Sequence, residues 1–344
     1  MSDKLNNTSI CILGMHRSGT SSITRGLNLL GVYLGETERM IKPQFDNPKG
    51  FWEHSHILAI HERILTTLDK SWDNIWPIDS ECWKQMEITN LKQELCNLLL
   101  TEFSDKPLWG WKDPRTCLIL PAWKEFSQEL HFEIRYVIVL RNPVDVTNSL
   151  KIRNNFPLSK SYLLWKLYLL SALEETKDAK RIIVSYEEFM TNWKPTLRNI
   201  SRTLAIPWSS DESLLSHEIE SFLDKDLQHS QSSFDELIYK ANNGEIPVSI
   251  VELYQLCLKA ERDRDFANSA TFKLKIADMY QEHISIMKMV SSEVKNIRDI
   301  DNQIILQKEQ LLDLQRKQIN DMINTWSWKL TKPLRWFGNL LLRF

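Results

Sequence analysis

The chain has 344 residues, 42% of them hydrophobic, enough to bury one large core. Its formal net charge is −2 with both signs interspersed, which excludes a general nucleic-acid binder and leaves any anion site to be local. Five cysteines (Cys11, Cys82, Cys96, Cys117, Cys257), an odd number without a C-x-x-C pair, read as reduced core residues and not as a disulfide framework. No run reaches the roughly 18 apolar residues of a spanning helix, and the polar start MSDKLNNTS leaves no room for a signal peptide, so the expected location is the cytoplasm.

The apolar run 10–13 breaks at Gly14 into a loop with Arg17, Ser18, Gly19, Thr20 and Ser21, and helical spacing resumes at Ile23, Leu27 and Leu30. This predicts strand, tight loop, helix. Glycine permits positive φ and close approach to a ligand, while the first N–H groups of the helix and its dipole face the same hollow. A phosphate or sulfate suits that hollow. The spacing of Gly14, Gly19 and Ser21 is similar to a P-loop, but Thr20 stands where that pattern has lysine.

A polar connection with Pro43 and Pro48 follows as far as Gly50. Residues 51–68 are expected to be helical, with Ile57, Ile60, Ile64 and Leu68 on one face; 71–77 is a tryptophan-bearing loop, and 87–103 a second amphipathic helix. Strands are expected at 108–112, 132–140 and 181–185, with helices at 117–126 and 159–177. The alternation predicts an α/β fold, a P-loop-like parallel sheet flanked by helices, with ligands at the carboxyl ends of the strands.

Beyond Ser209 no strand is expected. Residues 211–223 and 248–289 read as helical, with a polar link at Asn242-Asn243-Gly244. In 294–322, Ile297, Ile304 and Leu311 recur every seven residues, as do Ile305, Leu312 and Ile319, which predicts a coiled-coil segment and through it an oligomer contact. The tail 326–344 joins Trp326, Trp328, Trp336 and Phe337 to Lys329, Lys332, Arg335 and Arg343 without one acid; it suits a membrane interface, or equally a docked helix. The expected divisions are therefore 1–235, 236–292, 293–325 and 326–344.

A second constellation lies in YVIVLRNPVDVTNSL, where Arg141 ends a strand and Pro143 and Asp145 open a helix that brings Ser149 back two turns later. A guanidinium and a hydroxyl there make a second anion site, suited to a phosphate that is recognised and not transferred. An ion pair with Asp145 is the plainer use of Arg141.

Together, GMHRSGTSS and LRNPVDVTNSL resemble the 5′-phosphosulfate loop and the 3′-phosphate element of sulfotransferases that use 3′-phosphoadenosine 5′-phosphosulfate (PAPS), over residues 10–230. The likeness is to the bacterial, carbohydrate- and tyrosylprotein-like branch. It implies that Arg17, Ser18, Gly19, Thr20 and Ser21 hold the 5′ phosphate and the sulfate, that Arg141 and Ser149 hold the 3′ phosphate, and that PAPS is the co-substrate with no metal. Arg17 stands where cytosolic members have lysine. Lys112, in GWKDPR, is similar to a catalytic-side lysine of heparan-type members, and either cation could meet charge on the leaving oxygen.

The implied reaction is in-line sulfuryl transfer to a hydroxyl, where positioning and charge dominate and a general base is needed. Glu36, Glu38, Glu53, His54 and His56 are candidates. Glu53 is the expected base, because NPKGFWEH resembles a substrate-side segment of bacterial relatives. His16 is a candidate sulfate donor or acid. His54, His56 and His61 share no single helix face and complete no metal-ligand pattern. Asp113 and Arg115 are expected to pair at the rim or to meet the acceptor, with Arg115 the one to see an anionic substrate; Lys49 and Arg153 are further rim candidates. Ser230 falls where relatives bring a loop over the nucleotide. The implied acceptor is a carbohydrate or lipid-linked glycan, since SWKLTKPLR resembles the tail of some bacterial surface-polysaccharide enzymes. A P-loop nucleotide kinase and a noncatalytic scaffold of a membrane-associated synthase are the alternatives.

Overall fold

The computed structural model describes residues 5, 7–45, 47–208, 211–223, 232–332 and 334–335. Four strands, β1 (Thr8–Leu13), β2 (Leu108–Lys112), β3 (Glu133–Leu140) and β4 (Arg181–Ser185), form one parallel sheet in the order β2-β1-β3-β4. The centre of the sheet is apolar on both faces, as parallel strands require when helices cover each side. Side-chain alternation divides the two faces. Ile10, Ile12, Val137 and Val139 pack under α1 (Thr20–Leu29). Cys11, Leu13, Tyr136, Ile138 and Leu140 face the larger core of α2 (Ser55–Thr67), α3 (Met86–Phe103), α4 (Thr116–Glu129), α5 (Pro143–Asn154) and α6 (Leu158–Glu175).

From β1 the chain leaves for β2 on one side and later returns to β3 on the other. The strand order therefore reverses between β1 and β3, the place where open α/β sheets leave a crevice at their carboxyl ends. Leu13 lies opposite Ile138 in register, so the turn after Leu13 and the turn after Leu140 open beside one another.

The helix expected over 51–68 begins only at Ser55. Trp52 has φ 57°, in the left-handed region, and the His54 imidazole caps α2 by accepting the Ile57 N–H at 3.4 Å, so residues 51–54 stay outside the helix and Glu53 lies before it. Two helices on the face of α1, α7 (Tyr186–Thr191) and α8 (Trp193–Leu204), had no counterpart in the expected elements; Ser185 caps the first by accepting the Glu188 N–H at 3.2 Å. α9 (Glu212–Phe222) follows as expected, and α10 (Phe234–Asn242) is an addition.

The stretch 248–289 is not one helix. It divides into α11 (Val248–Arg262), α12 (Arg264–Asn268) and the start of α13 (Ala270–Asn324), because Asp263 leaves helical geometry and caps the Phe266 N–H at 2.9 Å. A short α14 (Trp326–Leu330) ends the described elements.

The chain divides into two compact units, residues 1–285 and 286–344. In the second, Ile297, Ile304, Leu311, Ile305, Leu312 and Ile319 are all exposed on α13, which is continuous across residues 292 and 293. Trp326 is exposed, whereas Trp336, Phe337 and Arg343 of the tail lie outside the described residues, as does Ser230. Among the described residues, no helix is long and apolar enough to cross a membrane.

Candidate active site

A cleft of about 750 Å³ opens at the carboxyl ends of the strands. Its lining includes Arg17 and Gly19 from the loop after β1, Thr20 and Ser21 at the start of α1, Lys112, Pro114 and Arg115 at and after the end of β2, Arg141 after β3, Ser149 and Arg153 on α5, and Glu53 before α2. The cationic side chains in that lining are Arg17, Lys49, Lys112, Arg115, Arg141 and Arg153, opposed by the carboxylates of Glu53 and Glu62. A cationic excess inside low-dielectric walls focuses potential and favours an anionic ligand, although the whole chain is slightly acidic.

Loop geometry explains how the two anion-binding stretches meet. Arg17 adopts φ 69°, and its carbonyl accepts Arg141 Nη1 at 2.8 Å, while Arg17 Nε donates to Ser149 Oγ at 2.8 Å. Arg17, Arg141 and Ser149 thus form one cluster across the β1/β3 crevice. The Arg141 guanidinium also lies over the Tyr186 ring, 4.7 Å from its centroid. Asp145, which could have paired with Arg141, accepts the Ser232 N–H at 2.9 Å.

Gly19 opens α1 at φ 80°, and a Cβ there would overlap the Tyr186 ring. Gly19→Ala is expected to lower stability by about 1–3 kcal/mol through its backbone conformation alone, and further through the overlap with Tyr186. A urea unfolding curve with an unmoved midpoint would contradict this. Ser18 is buried, with its N–H on the Met15 carbonyl at 3.1 Å, and Ser21 Oγ donates to the Phe51 carbonyl at 3.1 Å, tying the loop to the segment that carries Glu53.

The other wall is a buried ionic network. Lys112 Nζ donates to Glu53 Oε1, and both side chains are withdrawn from solvent. Burial pushes the Glu53 carboxyl above its ordinary range against the opposing pull of Lys112. Asp113 accepts from Arg115 N at 3.0 Å, from Arg115 Nη1 at 2.9 Å and from His61 Nδ1 at 2.8 Å. Burial raises the Asp113 carboxyl, but the Arg115 guanidinium and His61 outweigh it and hold the group well below the usual carboxylate range. Trp123 Nε1 donates to His61 Nε2 at 3.0 Å; with Nε2 accepting, the proton of the neutral ring is on Nδ1, which faces Asp113. The Asp113–Arg115 pair is the one expected from the sequence, whereas Lys112 with Glu53, His61 with Asp113 and Trp123 with His61 each cross more than fifty residues and had no signal there.

His16 is buried at the cleft, with its ring 4.5 Å from that of Trp72 and its Nε2 without a hydrogen-bond partner among the described residues. Burial, then Arg115 and Arg153, drive its pKa well below the usual value, so it is a neutral imidazole. His54 turns away: its Nε2 lies 2.8 Å from Glu102 Oε2, while exposed His56 packs on Arg39. Glu36 accepts the Tyr33 hydroxyl at 2.7 Å. Of the base candidates, Glu53 alone is among the residues lining the cleft.

No family model matches the chain, and no curated protein matches it. Among solved structures, the sulfotransferase domain from the curacin biosynthetic pathway is similar at 16% identity over 65% of this chain and 81% of that one, with a TM-score of 0.37. The sulfotransferase domain from the Synechococcus PCC 7002 olefin synthase matches at 16% identity over 67% and 90%, with a TM-score of 0.35. Retinol dehydratase in complex with androsterone and the inactive cofactor PAP matches at 12% identity over 83% and 81%, with a TM-score of 0.34.

Proposed function

We propose that the chain is a sulfotransferase that moves the sulfuryl group of PAPS to a hydroxyl of a carbohydrate or lipid-linked glycan. The observation that carries this reading is the cluster of Arg17, Arg141 and Ser149 at the β1/β3 crevice, beside the glycine-opened start of α1. A guanidinium and a hydroxyl supplied from the end of β3 and from α5, beside the helix start, suit a ligand with phosphates at two positions, and the donor set fits 3′-phosphoadenosine 5′-phosphosulfate. A nucleotide kinase would use a lysine where this loop has Thr20.

Bound PAPS would supply the sulfuryl group. Ser18, Gly19, Thr20 and Ser21 with Arg17 would hold its 5′ end, and Arg141 with Ser149 its 3′ phosphate. Glu53 takes the proton of the acceptor hydroxyl as the oxygen attacks sulfur and the bond from sulfur to the bridging oxygen breaks. Once Glu53 is protonated, Lys112 loses its anionic partner and is left to stabilise charge on the departing phosphate, together with Arg17. His16, neutral and short of one hydrogen bond, offers a donor or acceptor at the same wall.

Because burial raises the Glu53 pKa, transfer is expected to fall on the acid side of a midpoint above the ordinary carboxylate range, since the protonated form cannot accept the hydroxyl proton. A rate-against-pH profile with its acid limb near pH 4 would contradict the assignment. Labelled PAPS with a panel of glycan acceptors tests the reading itself: Glu53→Gln is expected to lose about 100- to 10,000-fold in transfer. Full activity of that variant removes the base, and no transfer to any hydroxyl by the wild type counts against the function.

The exposed seven-residue repeats of α13 are proposed as an oligomer seam, and the basic aromatic tail as a peripheral membrane contact on the cytoplasmic side.

A further inference from the structure

One buried guanidinium in the cleft is left with a hydrogen-bonding nitrogen that the reaction above does not use. Arg115 is 8% exposed and lines the cleft, and its Nε is buried without a hydrogen-bond partner among the described residues. An unmade hydrogen bond on a buried charged group is costly, and a bound molecule that supplies it gains what the free protein forgoes. The guanidinium is fixed from behind by Asp113, which takes Arg115 Nη1 at 2.9 Å and is itself held by His61. It cannot swing away to find water.

On its other side, Arg115 Nη2 donates to Glu62 Oε1 at 2.9 Å, and the Glu62 side chain is 53% exposed. The two carboxylates on Arg115 are therefore unlike. Asp113 is buried and bound through three donors, whereas Glu62 reaches in from the open side of α2 and can be exchanged for another anion at the cost of one solvated ion pair. Near Arg115, the Arg153 guanidinium packs 5.2 Å from the centre of the Trp72 ring, which also contacts His16. Cation, aromatic face and imidazole meet on the same wall.

We infer that Arg115 recognises an acidic group on the acceptor, and that Glu62 is an internal carboxylate holding its place until the acceptor arrives. The inference rests on the sulfotransferase reading and narrows its substrate: the acceptor carries a carboxylate, or another planar-forked or tetrahedral oxyanion, close to the hydroxyl that is modified. A guanidinium fork binds such groups through parallel charge-assisted hydrogen bonds and gives little to a neutral sugar. Displacement of Glu62 returns it to water, where it needs no partner.

The test uses the full chain saturated with 3′,5′-ADP, titrated calorimetrically with methyl β-glucuronide and with methyl β-glucoside, which differ in the acidic group. Tighter binding of the glucuronide by about tenfold or more is expected. In Glu62→Gln, which removes only a half-exposed charge, the glucuronide-to-glucoside preference is expected to rise by about threefold or more, because the competing anion is gone. In Arg115→Lys, which keeps the charge without the fork, the preference is expected to fall. Equal binding of the two sugars, binding of neither, or a preference that Glu62→Gln leaves unmoved overturns the inference. Where 3′,5′-ADP binds but the sugars are not told apart, this inference fails alone; where 3′,5′-ADP does not bind, the sulfotransferase reading fails with it.

Discussion

Lys112→Met is expected to cost about 3–5 kcal/mol of folding stability, the usual penalty for removing one partner of a buried ion pair. Glu53 would be left with its charge in a site from which both side chains are withdrawn from solvent, or would have to bind a proton to remain there. The double variant Lys112→Met with Glu53→Gln is expected to recover most of the loss, because a neutral pair of similar volume has no stranded charge. Urea unfolding of the four proteins gives the coupling directly. Equal losses in the single and the double variants would mean that Lys112 contributes by packing alone. The result bears on mechanism, since the proposed chemistry needs Lys112 to lose its anionic partner at the moment Glu53 is protonated.

Arg141→Met is expected to weaken 3′,5′-ADP binding by about 2–5 kcal/mol, the range for truncating a hydrogen-bonded charge in a desolvated contact. The loss has two sources in the geometry. The variant removes a guanidinium proposed to face the 3′ phosphate, and it releases the Arg17 carbonyl that Arg141 holds at 2.8 Å. Ser149→Ala removes the acceptor of Arg17 Nε together with the second, weaker donor proposed for the 3′ phosphate. Affinity reduced in both variants, more in Arg141→Met, is the expected order; an Arg141→Met protein with wild-type affinity would detach the 3′ phosphate from this cluster.

Much of the frame was legible because it depends on local pattern. The strands Leu108–Lys112 and Arg181–Ser185 coincide with the runs read from apolar and β-branched residues, and the parallel sheet follows from their alternation with helices. The meeting of the loop after β1 with Arg141 was foreseeable in kind, since ligands gather at strand ends, but not in detail. That Arg17 would reach Ser149, 132 positions away, depends on the strand order, and the strand order is not a property of any one segment.

The same reason hides the pairs Lys112 with Glu53 and His61 with Asp113, each more than fifty residues apart. In the sequence His61 reads only as one of three histidines that complete no metal-ligand pattern. In the fold it has the buried role of holding the carboxylate that anchors Arg115. At the start of α2 the helix expected over 51–68 ran ahead of the one that forms: Trp52 at φ 57° and the cap from His54 keep 51–54 out of the helix, and that departure is what brings Glu53 to the cleft. The break at Asp263 likewise belongs to a capping side chain that outcompetes a continuous apolar pattern.

The most direct test of the central claim is a comparison of thermal stabilisation by 3′,5′-ADP and by ATP on the wild-type chain. A ligand present at one hundred times its dissociation constant stabilises the folded state by about 2.7 kcal/mol. The account predicts that 3′,5′-ADP raises the melting temperature more than ATP at equal concentration, and that Arg141→Met erases the difference. Greater stabilisation by ATP, with or without Arg141, would contradict it.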